Sequence, residues 1–470
     1  MPDHKESHIQ APLFNTAAKA LKIQCIAYCA LLLAACGGGD APTRVQSEST
    51  SAGRSALAAS PHSAPSTPPL SLSAQVGQKL FFDASLSASG AMSCATCHDP
   101  QHAYGPPNAR AVQLGGPKLN SAGLRAVPSL RYKLATPAYS NEQFDPDGAG
   151  APAPGGGFTW DGRANSLAEQ AALPLLSPLE MANASPEAVV KKVQAGAYAP
   201  LFLQAFGPQA FANGATAFAN ITAALQAFQK EDPSFRPYSS KFDLYNQRGL
   251  GKLSTAELRG KAVFNDPNSG NCAACHLPDL NQFTDHLFAA IGPPRNSAIP
   301  ANAILSYMDL GLCGPARRDL KPAHAKEANP YCGMFKTPTL RNVATRSVFF
   351  HNGVITSLEQ AIRFYNTRDT NPEIWYPTVG GKPVKTPSAD FPTYGLITQQ
   401  YRGGKVQKFN DLPAKYHANI DTQMPQDGRK AGSKPPLSEQ NIADLLCFLK
   451  TLTDDYVAPA SEPSTGPCVN

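Results

Sequence analysis

Cys94-Ala95-Thr96-Cys97-His98 and Cys272-Ala273-Ala274-Cys275-His276 are two copies of one pattern, and the rest of the chain is read outward from them. In a CxxCH motif the two thiols bond covalently to the two vinyl carbons of one haem. The adjacent imidazole then reaches the iron from one face. A single copy also suits a zinc or thiol-redox site. Two copies in similar surroundings point to two covalently bound haem c groups, with His98 and His276 as iron ligands.

The surroundings do repeat. Gly77-Gln78-Lys79-Leu80-Phe81-Phe82-Asp83 precedes the first motif, and Gly260-Lys261-Ala262-Val263-Phe264-Asn265-Asp266 precedes the second. Each predicts a helix whose apolar residues pack on the haem, followed by a short loop. Ser254 and Glu257 have the spacing of a capping box for the second helix. Near the C-terminus, Ser438 is placed to cap a further helix. There Ile442, Leu445, Leu446, Leu449 and Leu452 fall on one face. Helix, CxxCH loop and closing helix make a cytochrome c-like unit. The expected fold is mostly α, with two such haem domains, 73–245 and 246–470, and long connecting loops.

Composition agrees. Across 470 residues the hydrophobic content is 42% and the charged content only 16%, with 44 prolines and 36 glycines, as in a loop-rich globular protein. The formal charge of +6 falls to +5 once residues 1–35 are removed, and four haem propionates would nearly cancel that. No basic run interleaved with aromatics occurs, so no nucleic-acid partner is expected.

Residues 1–35 read as an export signal. The apolar run 25–35 follows Lys19 and Lys22 and is too short to span a bilayer. It ends in Leu33-Ala34-Ala35-Cys36-Gly37, which resembles a lipobox, in which Cys36 becomes a lipidated first residue. The alternative is an ordinary cleaved signal with Cys36 incidental. Residues 36–72 are rich in Ser, Ala, Pro and Gly and read as a flexible tether. The expected location is the periplasm, anchored to a membrane as a lipoprotein. Cys313, Cys332, Cys447 and Cys468 remain for disulfides. Of the three connectivities, Cys313–Cys332 with Cys447–Cys468 has the shortest separations.

Further motifs carry a resemblance over about residues 73–456. They are Leu80-Phe81-Phe82-Asp83, Trp160-Asp161-Gly162-Arg163, Pro178-Leu179-Glu180-Met181, Phe335-Lys336-Thr337-Pro338-Thr339-Leu340-Arg341-Asn342 and Phe350-His351-Asn352-Gly353. In this order they resemble the bacterial di-haem cytochrome c peroxidases, and among them the MauG-like branch. The resemblance implies that the haem at His98 meets hydrogen peroxide, while the haem at His276 supplies electrons. It makes Glu180, an acid in an apolar, Pro-bounded run, the distal proton-transfer residue. Gln170 becomes its hydrogen-bonding neighbour, Pro174 a shaper of the pocket and Trp160 the relay between haems.

The sixth ligand of the second haem separates the branches. Ordinary members place a Met fourteen residues after the His of the His-(Asp/Asn)-Gly motif; counting from His351, that position here is Tyr365. The MauG-like branch has Tyr there. A phenolate favours oxidised iron, so Tyr365 as ligand would let the second haem share oxidising equivalents. Met424 and Met334 are the spare thioethers. The family commonly binds calcium through an Asn, but Pro128-Ser129-Leu130-Arg131 is followed by Tyr132, and Arg346 and Val348 stand near the carbonyl positions. Calcium is therefore doubtful.

The expected function is peroxide reduction with electrons from a small donor such as a cytochrome c or cupredoxin. Two alternatives stand beside it. One is a MauG-like oxidase that modifies residues of a partner protein. The other is a di-haem electron carrier without catalysis.

Overall fold

The computed structural model describes residues 68–470 except 147, 149–150, 247–248, 250, 279–280, 305, 321–328, 385–396, 398, 459–467 and 469–470. The signal segment, Cys36 and the tether as far as residue 67 lie outside the described residues.

Among the described residues eight α-helices are eight residues or longer: α1 Leu72–Phe82, α2 Leu167–Leu176, α3 Pro186–Ala195, α4 Ala199–Phe206, α5 Gly214–Glu231, α6 Thr255–Asn265, α7 Leu358–Thr367 and α8 Glu439–Lys450. Strands run two to four residues and pair only as antiparallel two-stranded ribbons. The mostly α expectation therefore holds. No described helix is long and apolar enough to cross a membrane.

Local chemistry starts these helices where the sequence suggested. Ser254 and Glu257 close a capping box at the head of α6, and Ser438 and Asn441 close another at the head of α8. Ser71 caps α1, and its backbone N–H and hydroxyl both donate to Glu231, each at 2.8 Å. Ile442, Leu445 and Leu449 of α8 are buried, as their spacing required.

Two helix crossings organise the molecule, and they are copies of each other. A Cβ at Gly77 of α1 would stand 1.9 Å from the Ala224 carbonyl oxygen of α5; one at Gly260 of α6 would stand 1.9 Å from the Asp444 carbonyl oxygen of α8. Only glycine lets backbones approach so closely. One turn on, Phe81 meets Phe228 with ring centroids 5.6 Å apart, and Phe264 meets Phe448 at 5.2 Å. Each aromatic pair anchors an apolar core. The first gathers Leu80, Tyr104, Met181, Val189 and Phe202; the second gathers Phe283, Phe364, Trp375, Ile442 and Leu445. The closing helix of the first crossing, α5, is one that sequence reasoning did not single out.

Cys313 pairs with Cys332 and Cys447 with Cys468, the pairing of shortest separation. The second bond ties the chain beyond α8 back onto that helix.

Gly77→Ala and Gly260→Ala are each expected to destabilise the folded protein by about 1–3 kcal/mol or more, because the added methyl must push two backbones apart. Denaturant unfolding followed by circular dichroism checks this, and midpoints equal to wild type would refute the close crossing.

Candidate functional site

The two motifs present their histidines in the same way. His98 Nδ1 lies 3.1 Å from the Tyr104 carbonyl oxygen, and His276 Nδ1 lies 3.0 Å from the Phe283 carbonyl oxygen. Tyr104 and Phe283 have positive φ, which turns their carbonyls inward. A second strap locks each turn. Ser129 Oγ donates to the Ala103 carbonyl and Thr339 Oγ1 to the Gln282 carbonyl, both at 2.6 Å. These straps are Pro128-Ser129-Leu130-Arg131 and Pro338-Thr339-Leu340-Arg341, an internal repeat legible in the sequence but not read as one. With Nδ1 donating to a carbonyl, Nε2 of each ring is the free electron pair, the arrangement a metal-ligating histidine needs.

The four motif cysteines are free thiols, whereas the other four described cysteines are bonded. Burial pushes Cys94 up to about 12, Cys97 to about 11 and Cys272 to about 12, and raises Cys275 as well. A redox-active CxxC needs a lowered thiol pKa, so these pairs do not suit that role. Among the described residues no three His, Cys, Asp or Glu side chains converge as a bare metal site would require. Burial likewise pulls His98 and His276 down to about 4, keeping both rings neutral. Cys94, Cys97, His98, Cys272, Cys275 and His276 nevertheless retain part of their accessible surface. Groups that are both desolvated and accessible line internal hollows. Thiols, neutral imidazole and an apolar hollow together fit a haem at each motif.

Glu180 lies near the first motif. Its negative charge helps to raise the Cys97 pKa, which brings it into the neighbourhood of the first motif. Its side chain has exposed surface, yet desolvation raises its carboxyl above the usual range; a hydrogen bond from Ser177 and the charge of Arg163 only partly oppose this. The turn that holds it is pinned by Gly116 N–H donating to the Glu180 carbonyl at 2.7 Å and by Met181 N–H donating to the Pro174 carbonyl at 3.1 Å. Gly115 abuts the same turn, where a Cβ would meet the Leu179 carbonyl oxygen at 2.3 Å. Gln170 lies on α2, half-buried, and no hydrogen bond joins it to Glu180.

Trp160 lines the cavity of about 230 Å³ that opens over the second motif, whose walls also carry Cys272, Cys275, His276, Tyr365 and Met424. Its Nε1–H donates to the Ala126 carbonyl at 2.7 Å, and the Ala126 N–H donates to the His351 carbonyl at 2.7 Å. Arg125 bridges Asp161 at 2.8 Å and Asp309 at 2.7 Å, fixing the loop that carries Trp160. His351 stacks on Phe335 with centroids 3.5 Å apart, so it serves packing here.

Tyr365 projects from α7 into the same cavity. Its hydroxyl makes no hydrogen bond among the described residues, and burial raises its pKa, with the Cys275 and Cys272 sulfurs adding to the effect. Met424 shares the cavity wall, so spacing alone would not have separated the two candidates. Tyr132 is engaged elsewhere. Its hydroxyl donates to Asp454 at 2.6 Å, alongside Asn342 at 2.6 Å and Arg131 at 3.0 Å.

Comparison with known proteins matches residues 72–250 to the family model described as di-haem cytochrome c peroxidase. The methylamine utilization protein MauG of Paracoccus denitrificans is 36% identical over 306 residues, covering 62% of this chain and 74% of that protein. A cytochrome c551 peroxidase of Nitrosomonas europaea is 28% identical over 305 residues, covering 62% and 71%. Among solved structures, the diheme peroxidase BthA from Burkholderia thailandensis superposes with a TM-score of 0.68 at 34% identity, covering 83% of this chain and 87% of that one.

The raised carboxyl of Glu180 has a consequence for stability. A folded state that holds a proton more tightly than the unfolded chain is favoured below the ordinary glutamic acid range, and that advantage is lost as pH rises through the raised value. Glu180→Gln is expected to melt above wild type at neutral pH, the gap closing below about pH 4. Calorimetric melting across that range checks it, and a variant less stable at neutral pH would refute the desolvated carboxyl.

Proposed function

Because this chain belongs to the di-haem cytochrome c peroxidase family, MauG-like branch, and is an oxidoreductase of that family, we propose that it reduces hydrogen peroxide to water with electrons from a small redox protein. Two haems, which the family implies, would supply the exchangeable iron position and the redox chemistry. In this reading Cys94 and Cys97 would hold the first haem covalently, and His98 would ligate its iron. Cys272, Cys275 and His276 would hold the second, and Tyr365, on the wall of the same cavity, would be a further ligand to its iron.

The observation that carries the proposal is the placement of Glu180. A desolvated carboxyl beside the first motif can take a proton from one peroxide oxygen and hand it to the other. Loss of the O–O bond then releases water, with two electrons and two protons balancing two waters. The Tyr104 carbonyl fixes the His98 tautomer and strengthens Nε2 as a donor. Trp160, held by Ala126 and walled by the second motif, is the conduit for electrons. Gln170 orients the peroxide or its water from α2. Export to the periplasm suits both c-type attachment and the two disulfides. The lipid anchor at Cys36 is the membrane tether in this reading. Calcium stays doubtful, with the Tyr132 hydroxyl committed to Asp454.

The test is steady-state peroxide consumption by the di-haem protein with a reduced cytochrome c or cupredoxin. Wild type is expected to turn over, and Glu180→Gln to lose about 10²–10⁴-fold in rate. Unchanged turnover in the variant would remove Glu180 from the mechanism. A protein whose two irons are both saturated and indifferent to peroxide would be an electron carrier instead.

Tyr365, together with the similarity to proteins named MauG, supports a second reading, an oxidase that modifies residues of a partner protein. Consumption of peroxide only when one other exported protein is present and becomes modified would favour it. Tyr365→Phe is expected to change the electron paramagnetic resonance signature of one haem and leave the other intact. Two unchanged signatures would show that Tyr365 is not a ligand.

A further inference from the structure

Positive charge collects between the two motifs without a matching carboxylate. Lys133, Lys336 and Arg346 all line the central cavity, together with Arg341 and, toward Tyr365, Asp421. Arg341 is spent on Asp243, with Nη contacts of 2.9 and 2.7 Å. Arg346 donates only to backbone carbonyls, Val348 at 3.3 Å and Val127 at 3.1 Å. Lys336 donates to the Gly157 carbonyl. The Lys133 ammonium makes no hydrogen bond or ion pair among the described residues. Asp161, the carboxylate that acts on Lys336, is already held by Arg125 and Arg163, each at 2.8 Å.

Lys133 sits electrostatically between the other two, sensing Arg346 and acting on Lys336. Burial and Arg346 pull Lys133 down to about 8; burial and Lys133 pull Lys336 to about 7; burial alone lowers Arg346 to about 10. The His98 ring also senses Lys133 and Arg346, so the cluster lies within electrostatic reach of His98 as well as on the wall of that cavity. Buried charges of one sign are costly unless an anion joins them. Around them the wall is apolar, with Ala289, Ile291, Leu340 and Ile362. The occupant that satisfies both has a flat apolar body and carboxylates at its edge.

We propose that Lys133, Lys336 and Arg346 form the seat of haem propionate carboxylates between the two motifs, and that their fixed charge raises the reduction potential of the haem they hold. The proposal rests on the di-haem reading above. A cation beside the porphyrin edge favours the reduced iron, because reduction removes one positive charge. Arg346 adds rigidity, since its guanidinium straps carbonyls 127 and 348 while facing the carboxylates.

Spectroelectrochemical titration of the intact di-haem protein tests this, with haem counted independently as the pyridine haemochrome. Lys133→Gln and Arg346→Gln are each expected to keep two haems and to shift the reduction equilibrium of at least one haem about tenfold toward the oxidised form. That is about 59 mV for one electron. The propionate bending band in resonance Raman is expected to move with it. Unchanged potentials in both variants would overturn the proposal. A wild type carrying fewer than two haems would overturn the di-haem reading instead. Potentials that respond saturably to inorganic phosphate would mean that a free anion occupies the seat, which also overturns it. Where a Gln variant does not load haem, Lys133→Arg and Arg346→Lys decide: the Raman band must move while the potential stays near wild type, and an unmoved band refutes the seat.

Discussion

A carbonyl oxygen lies against a helical glycine where no side chain could fit, once between α1 and α5 and once between α6 and α8. This backbone-on-backbone crossing sets the spacing of everything that follows. It brings Phe81 onto Phe228 and Phe264 onto Phe448, and those rings nucleate the two apolar cores. With the helices fixed, each CxxCH loop has one place to go, under the aromatic pair and against a turn with positive φ.

That turn is where packing becomes chemistry. Tyr104 and Phe283 bury their rings in the cores and turn their carbonyls onto His98 and His276. The same residues thus anchor hydrophobic packing and choose the imidazole tautomer. The straps from Pro128 and Pro338 hold the turns from behind. Their arginines run on to distant carboxylates, Arg131 to Asp454 and Arg341 to Asp243. Breaking one strap would loosen a histidine and an ion pair together.

Near the second loop the protein keeps a hollow. Its walls are apolar except for a few polar groups. Tyr365 offers an uncommitted hydroxyl, Trp160 is held by the Ala126 carbonyl, and Lys133, Lys336 and Arg346 present charge. Glu180 lies on the side of the first motif, where desolvation raises its carboxyl. Desolvation governs both places, with opposite directions: it raises the carboxyl of Glu180 in one and lowers the cations in the other.

What is covalent or local could be read from the order of residues without any coordinates. Spacing within five residues identified the haem motifs, because both thiols and the imidazole must reach one ring. The capping box at Ser254 and apolar periodicity in 439–452 located helices, since those signals act within one or two turns. Shortest separation found the disulfides, because nearby thiols meet most often. Resemblance of ordered motifs singled out Glu180 and Tyr365. Which groups face each other came from the folded chain alone. That Lys133 lies beside Arg346, that Asp454 collects Arg131, Tyr132 and Asn342, and that α5 rather than some other helix closes the first crossing depend on contacts across one to three hundred residues. Such contacts leave no periodicity in the chain. They arise from the shape left when two glycine crossings have closed.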